Sequence, residues 1–514
     1  MSADDLLSKL TIAKPVLELA SDVKSWLPEF KVAAESDDAL ITYFLKTPYL
    51  TKVTSGEKWM ILGRKGTGKT AIYEYLKSSL AEQIGNQYAV CLNFRDYPWP
   101  IHRLYKEGME GELSAYQRSW QYIVVVQALA KLIEVSEQAG ALQNPLAQAK
   151  KVLQKVYGNP FPSLLEVIKS KVVRLSNLAL PSAEMGDLLE LQAGEIGFEE
   201  IAADVALATK LRTNAFSLLS YFEQTLLANA NDNRFLVCLD QLDENWLPDQ
   251  TQEYSKILVN LILAAQHLNN SAKHKSTLRT VVFLRTDIHE TLSFNDKNKI
   301  YQDSAVEIRW EEASLNELIK ERIKKFMPHG LGLDLDAGAN CLFTSKAVRH
   351  GATPLRHMLR RTFYRPRDLI VYLNKIRDCH KPLVNGLYSN EELYAATKPY
   401  SLSLYNELID EWATQKPEVS KWLGVLQSIG VQAFSTDDFA ACFQKLGLQG
   451  DVKEALLFLF ANSIVGQKVS VNWEYMCTNP YLQIEFGKQF HVNSGLKDRL
   501  TLTENRAGSA EDEI

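Results

Sequence analysis

The sequence predicts an α/β protein: a parallel sheet carrying a large helical insertion, then a helical region, then a small winged-helix-like module. Three observations predict it. Five short runs, Lys58–Leu62, Tyr88–Phe94, Phe235–Leu239, Thr280–Leu284 and Ala305–Trp310, are nearly continuous in apolar residues. Strands that alternate would face water on one side; strands like these are covered on both faces, as in parallel sheets. The interval from Phe94 to Phe235 is too long for one crossover, and its apolar spacing is helical in Tyr122–Val135 and Leu164–Leu180, with breaks at Gly158-Asn-Pro-Phe-Pro162 and Pro181. Beyond Trp310 the pattern stays helical until a short alternating stretch near the end.

In chain order, residues 1–45 read as an N-terminal helical segment and 46–310 as the sheet core, with the insertion at about 105–230. Residues 311–400 read as a helical lid, opening with Ser314 as the N-cap of Leu315–Phe326 and broken at Met327-Pro-His-Gly330. Residues 401–502 read as short helices followed by a strand at Tyr481–Phe490, and 503–514 as a frayed acidic tail.

Composition narrows the class. The chain has 514 residues, a net charge of −5 and 46% apolar residues, enough for about three domains. Ordinary charged and apolar fractions exclude wholesale disorder and collagen, and the acidic balance excludes a globally basic nucleic-acid coat, though not a local basic face. Six scattered cysteines without a C-x-x-C pair argue against structural zinc and for a reducing compartment. The acidic start, Met-Ser-Ala-Asp-Asp, and the interrupted apolar stretches predict a cytoplasmic protein with no membrane partner.

Gly63-Arg64-Lys65-Gly66-Thr67-Gly68-Lys69-Thr70 follows the first apolar run and precedes the helical spacing of Ala71–Leu80. Glycines let backbone N–H groups curl around a phosphate, and the helix N-terminus adds its positive dipole end. Lys69 then reaches the β- and γ-phosphates, and Thr70 offers a hydroxyl to Mg²⁺. This is the P-loop, and the predicted fold class is that of a P-loop NTPase. Phe235–Leu239 runs into Asp240-Gln241-Leu242-Asp243-Glu244, where an aspartate leaving a buried strand holds the Mg²⁺ shell. Asp243 and Glu244 are both candidates for orienting the attacking water; either is also an ordinary loop carboxylate.

Thr280–Leu284 ends in Arg285-Thr-Asp287. An arginine there can sense the γ-phosphate; the plainer alternative is a surface arginine paired with Asp287. Arg365-Pro366-Arg367 precedes a helix, with proline fixing the direction of Arg367. Between Ala337 and Arg367 lie Lys346, Arg349, Arg356, Arg360, Arg361, Arg365 and Arg367 and no acidic residue. Such a stretch is a nucleotide-facing lid, a polyanion surface or a solvated basic face.

Together these residues resemble the AAA+/STAND branch of P-loop ATPases. Gly63–Ala71, Asp96-Tyr-Pro-Trp99 and His491-Val-Asn-Ser-Gly-Leu496 are similar to a group of bacterial stand-alone P-loop ATPases, some of whose relatives are associated with anti-phage defence. The similarity runs from about Ala34 to Leu502. It implies ATP and Mg²⁺ as cofactors, with the P-loop strand between the sensor strand and the last strand. It also implies a helical lid, a winged-helix-like end, and a protein partner or effector; in oligomeric relatives a neighbour's arginine completes the site. Gln241 departs from the pattern, because related families often carry an acid there. The expected function is an ATP-hydrolysing switch; the alternative is an ATP-regulated DNA-binding protein of origin-recognition-like type. A GTPase is disfavoured, since Asn295-Asp-Lys-Asn-Lys299 does not give N-K-x-D.

Overall fold

The computed structural model describes residues 22–83, 85–95, 112–169, 218–242, 251–381 and 386–504. Asp96–Trp99, Asp243, Glu244, the middle of the insertion and the end of the tail lie outside the described residues. The chain divides into two compact units: residues 46–64 with 69–308, and residues up to 45 with 65–68 and those from 309 onward.

The first unit is built on strands β1 (Met60–Leu62), β2 (Gln87–Asn93), β3 (Arg234–Asp240), β4 (Leu278–Leu284) and β5 (Ala305–Glu307). Among the described residues they form one sheet in the order β2-β3-β4-β1-β5, with every neighbouring pair parallel. β1 therefore lies between β4, the strand that runs into Arg285, and the last strand β5, the order that the sequence resemblance implies. Every residue of β1 is buried, and so are all those of β3 after Arg234, which is why both runs are apolar throughout. The first and last runs are trimmed. Lys58 turns its Nζ to the carbonyls of Gln302 and Asp303 (2.7 and 3.0 Å); β1 begins at Met60, and β5 ends at Glu307.

Helices cover this sheet: α1 (Lys69–Gln83), α2 (Glu112–Gln138) and α3 (Thr251–Asn270). Tyr122–Ala130 of α2 is buried on nearly all sides, the mark of a core helix rather than a surface one. Trp120 of α2 donates to the Ile257 carbonyl at 3.1 Å, and Asn269 of α3 exchanges two 2.8 Å hydrogen bonds with the backbone of Thr280. These amide and indole bonds fix helix on helix and helix on strand while satisfying the Trp120 indole and the Asn269 amide. A short helix α4 (Thr286–Thr291) follows β4.

The second unit opens with α5 (Glu312–Phe326). Here the expected N-cap is corrected: Glu311 is the cap, and Ser314 sits in the first turn, its Oγ accepting from the Glu311 N–H at 3.0 Å. The apolar periodicity starts at Leu315, which hid the polar first turn. Next come α6 (Pro354–Leu359), α7 (Pro366–Cys379), α8 (Asn390–Ala395) and α9 (Thr397–Trp412). α9 runs straight through the break expected at 400. The N-terminal segment is not a separate element: Phe30 exchanges backbone bonds with the Asn374 amide on α7 (3.0 and 2.8 Å), and Asp22 accepts from His380.

The end of the chain has the order α10 (Val419–Ile429), β6 (Ala433–Phe434), α11 (Thr436–Lys445), α12 (Val452–Ala461), β7 (Val465–Val469), β8 (Asn472–Glu474) and β9 (Phe490–Val492). The antiparallel sheet β6-β9-β7-β8, with β6 between the first and second of three helices and the other strands after the third, is a winged-helix arrangement. The strand expected at Tyr481–Phe490 is corrected to Phe490–Val492. Over Glu485 the side-chain amide of Gln467 stands in for a partner strand, bonding its N–H and C=O at 2.8 and 2.7 Å. The β7–β8 hairpin escaped the sequence reading because Ser470, at φ +56°, takes the left-handed turn position that glycine or asparagine usually signals. No helix among the described residues is long and apolar enough to cross a membrane.

Candidate functional site

The carboxyl edge of a parallel sheet is where loops of this kind hold ligands. At this edge β1 ends in Gly63, whose N–H donates to the Leu284 carbonyl at 3.3 Å, while its carbonyl accepts from Thr286 at 3.4 Å. The loop then turns at Gly66 (φ +81°) and Gly68 (φ +98°) into α1, which starts at Lys69. Lys69 is buried and its Nζ donates to the carbonyls of Gly63 and Arg64 (2.8 and 3.2 Å), so the ammonium lies over the first residues of the loop.

Asp240 ends β3 as the sequence predicts and is 3% exposed. It faces the first turns of α1. The Tyr73 phenol there is pushed upward, first by burial and then by Cys91, Asp240 and Cys238. Thr70 lies three residues before Tyr73 on the same helical face. A hydroxyl and a carboxylate are hard oxygen donors and fit Mg²⁺ rather than a thiophilic metal. Gln241 is buried with φ +62°, so the chain turns sharply straight after Asp240.

Arg285 follows β4, and the residues on either side of it, Leu284 and Thr286, are bonded to Gly63. Arg285 is paired as the plainer alternative expected: Nε and Nη2 meet Asp287 Oδ1 and Oδ2 at 3.1 and 2.8 Å. Such a bidentate pair fixes the plane of the guanidinium. Near it Glu290 is raised above the usual carboxylate range, by burial first, against the opposing charge of Arg64.

Residues 65–68 belong with the second unit, and four of its residues hold them. Arg365 donates from Nη1 to the Lys65 carbonyl at 3.1 Å, and the Trp310 indole donates to the Thr67 carbonyl at 2.9 Å. The Arg367 N–H reaches the Gly66 carbonyl at 3.4 Å. Glu407 on α9 bridges Arg367 Nη1 (2.6 Å) and Lys65 Nζ (3.3 Å). Burial would raise the Glu407 carboxyl, but Arg367 and Lys65 outweigh it and hold it below the usual carboxylate range. The sequence reading gave Arg367 a role, named Arg365 only with it and within the basic stretch, and passed over Trp310 and Glu407. For Arg365 a signal existed: an arginine three residues before Asp368 at a helix start can fold back on it.

Of the expected site residues, the structure thus gathers Gly63, Arg64, Lys69, Thr70, Asp240 and Arg285 in one unit. It gathers Lys65, Gly66, Thr67, Gly68 and Arg367 in the other.

Residues 313–409 match the FunZ-associated C-terminal helical domain family. The putative transposon gamma-delta 80.3 kDa protein of Escherichia coli K12 is 22% identical over 419 residues, 77% of this chain and 53% of the relative, so the chain spans about half the length of the curated relative it matches. Among solved structures, the Aeropyrum pernix ORC1 protein in complex with DNA is similar at 13% identity and TM-score 0.36, covering 92% of this chain and 94% of that one. The Aeropyrum pernix ORC2 protein in its ADPNP–ADP complexes is similar at 12% identity and TM-score 0.40, covering 91% and 96%. Cdc6p from Pyrobaculum aerophilum is similar at 11% identity and TM-score 0.32, covering 90% and 97%. At such likeness the assignment of the fold rests on the strand order and on the loop between β1 and α1.

Proposed function

We propose that the chain is a Mg-ATP-binding and ATP-hydrolysing molecular switch of the AAA+/STAND type, acting on a protein partner. One observation carries the reading: a glycine-rich loop ending in Lys69-Thr70 joins β1, an interior strand of the sheet, to α1, with Asp240 at the end of β3 facing that helix. Bound Mg²⁺ would neutralise charge on the β- and γ-phosphates. Lys69 would exchange its two loop carbonyls for phosphate oxygens, Thr70 and Asp240 would hold the metal shell, and Arg285, held flat by Asp287, would face the terminal phosphate. Asp243 and Glu244 stay as proposed water-orienting groups. A role in bacterial defence or stress signalling is supported by the sequence resemblance alone.

The switch element in this reading is the tip of the loop. Arg365, Arg367 and Trp310 hold three successive carbonyls, so a loop that re-forms around phosphate changes what these residues grip. The DNA-regulating alternative draws on the winged module: the exposed positions of its third helix α12 include Lys453 and Glu454, side chains able to meet base edges, beside the apolar Leu457 and Ala461.

The test is MgATP binding by calorimetry together with turnover, for the full chain and for Lys69→Ala. The reading expects both to vanish in the variant while the circular dichroism spectrum stays native. Turnover that survives the substitution would overturn it.

A further inference from the structure

Arg365 and Arg367 turn toward the loop, but the rest of the basic stretch does not. Lys346, Arg349, Arg356 and Arg360 are exposed, on α6, its C-terminal cap and the loop before it. That loop is built rather than loose. The Val348 N–H donates to the Ala352 carbonyl at 2.8 Å, and Asn390 of α8 donates to the Ala347 carbonyl at 3.0 Å. The Arg349 N–H donates to the Tyr394 hydroxyl at 3.0 Å, and its guanidinium lies over the same ring at 5.4 Å. Arg356 and Arg360 are one helical turn apart and so share a face.

The charge on this face is largely uncompensated. Arg356 bonds the Glu312 carboxylate at 3.0 and 3.1 Å, but among the described residues no carboxylate pairs with Lys346, Arg349 or Arg360. The field is felt inside. The buried His357 imidazole is pushed down to about 3, by burial first and then by Arg361, Arg360 and Arg349, all positive.

We propose that the face formed by Lys346, Arg349, Arg356 and Arg360 binds the phosphodiester backbone of a nucleic acid. An acidic protein is the competing class of partner, and the surface composition decides against it. Protein interfaces centre on apolar or aromatic anchors that exclude water. None of the exposed large apolar side chains among the described residues lies between Thr344 and Arg361. Backbone phosphates require only spaced cations, with arginine able to grip two oxygens at once. The proposal does not rest on the nucleotide reading, since none of these four residues touches the loop.

The experiment follows binding of a fluorescent mixed-sequence DNA duplex to the full chain across a salt series. It compares the wild type with the triple variant Lys346→Gln, Arg349→Gln, Arg360→Gln. Each phosphate deprived of its cation should reduce the magnitude of the slope of log K against log salt by about 0.9. Affinity at low salt should fall at least about tenfold while MgATP affinity stays unchanged. An RNA duplex bound with the same decrease in slope supports the proposal and shows that the face grips the phosphodiester backbone whatever the sugar; binding of RNA at about tenfold higher affinity than DNA would identify RNA as the source of the phosphates. An unchanged slope, no duplex binding by the wild type at low salt, or displacement of the duplex by polyglutamate at equal charge would each overturn it. If the triple variant does not fold, Arg360→Gln alone should still remove about 0.9 from the slope.

Discussion

Arg365 donates from Nη1 to the main-chain carbonyl of Lys65 at 3.1 Å while its Nε lies between the two oxygens of Asp368, at 3.1 Å from each. The same Nη1 also reaches Glu411 at 3.1 Å, and the residue is 5% exposed. Burial alone would lower the arginine's proton affinity, but Asp368 and Glu411 outweigh it, so the group stays charged. A positive side chain with two carboxylate partners is thereby anchored on the phosphate-loop backbone.

Arg365→Met should destabilise the second unit by about 3–5 kcal/mol, because it strands two buried carboxylates. The urea midpoint checks this. Adding Glu411→Gln should recover part of the loss, since one stranded charge disappears; a double variant no better than the single would contradict the pairing.

Gly66→Ala should weaken MgATP affinity more than it weakens the fold. At φ +81° a side chain costs about 1–3 kcal/mol, and a Cβ there would meet Arg367 Cβ at 3.0 Å. Both penalties fall on the loop proposed to curl around phosphate. Calorimetry should show at least a tenfold loss of affinity, against a shift in urea midpoint small beside that of Arg365→Met.

The sheet was legible in the sequence because fully covered strands must be apolar throughout: β2, β3 and β4 fall within two residues of the expected runs. The phosphate loop was legible because its chemistry dictates residue type at fixed spacing. What escaped were long-range substitutions of one group for another. The Gln467 amide replaces a strand, Ser470 replaces a turn glycine, and Trp310 and Glu407 reach the loop across hundreds of residues of chain. No local pattern encodes such partners. Arg285 shows the opposite case: a sensor and an ion-paired arginine have the same sequence, and the structure shows that it is paired.

That pairing sets the expectation for Arg285. If the guanidinium is held flat by Asp287 to meet developing charge, Arg285→Ala should lower turnover on the order of 10²-fold with little change in MgATP affinity. Asp287→Asn should give a smaller loss of the same kind, since the charge remains but its orientation loosens. Equal turnover in Arg285→Ala and wild type would reduce the pair to a structural clamp.

Acid should destabilise the protein earlier than carboxylate protonation alone would. His357 is pushed down to about 3, His289 to about 4 and His491 to about 4, in each case by burial first. Their folded forms resist protons that the unfolded chain takes up below about pH 6.5. Stability should therefore be complete above that pH and fall as pH drops toward 4, by about 1.4 kcal/mol per pH unit for each group. His357→Gln should make the decline shallower by about one group's share in urea midpoints measured from pH 7 to 4.5.

The bond from the Trp310 indole to the Thr67 carbonyl makes this one of nine tryptophans a reporter of the loop. Thr67 is buried and Trp310 half-buried, so a loop that reshapes around phosphate alters both the hydrogen bond and the environment of the ring. MgATP should therefore change the intrinsic fluorescence of the wild type, and Trp310→Phe should lose most of that change. Phenylalanine keeps much of the ring packing but donates nothing, which costs about 1 kcal/mol. MgATP affinity in the variant should fall no more than about fivefold, so saturation remains attainable. A full-sized fluorescence change in Trp310→Phe would mean that the Thr67 carbonyl keeps its position when nucleotide binds, and that Trp310 takes no part in the switch.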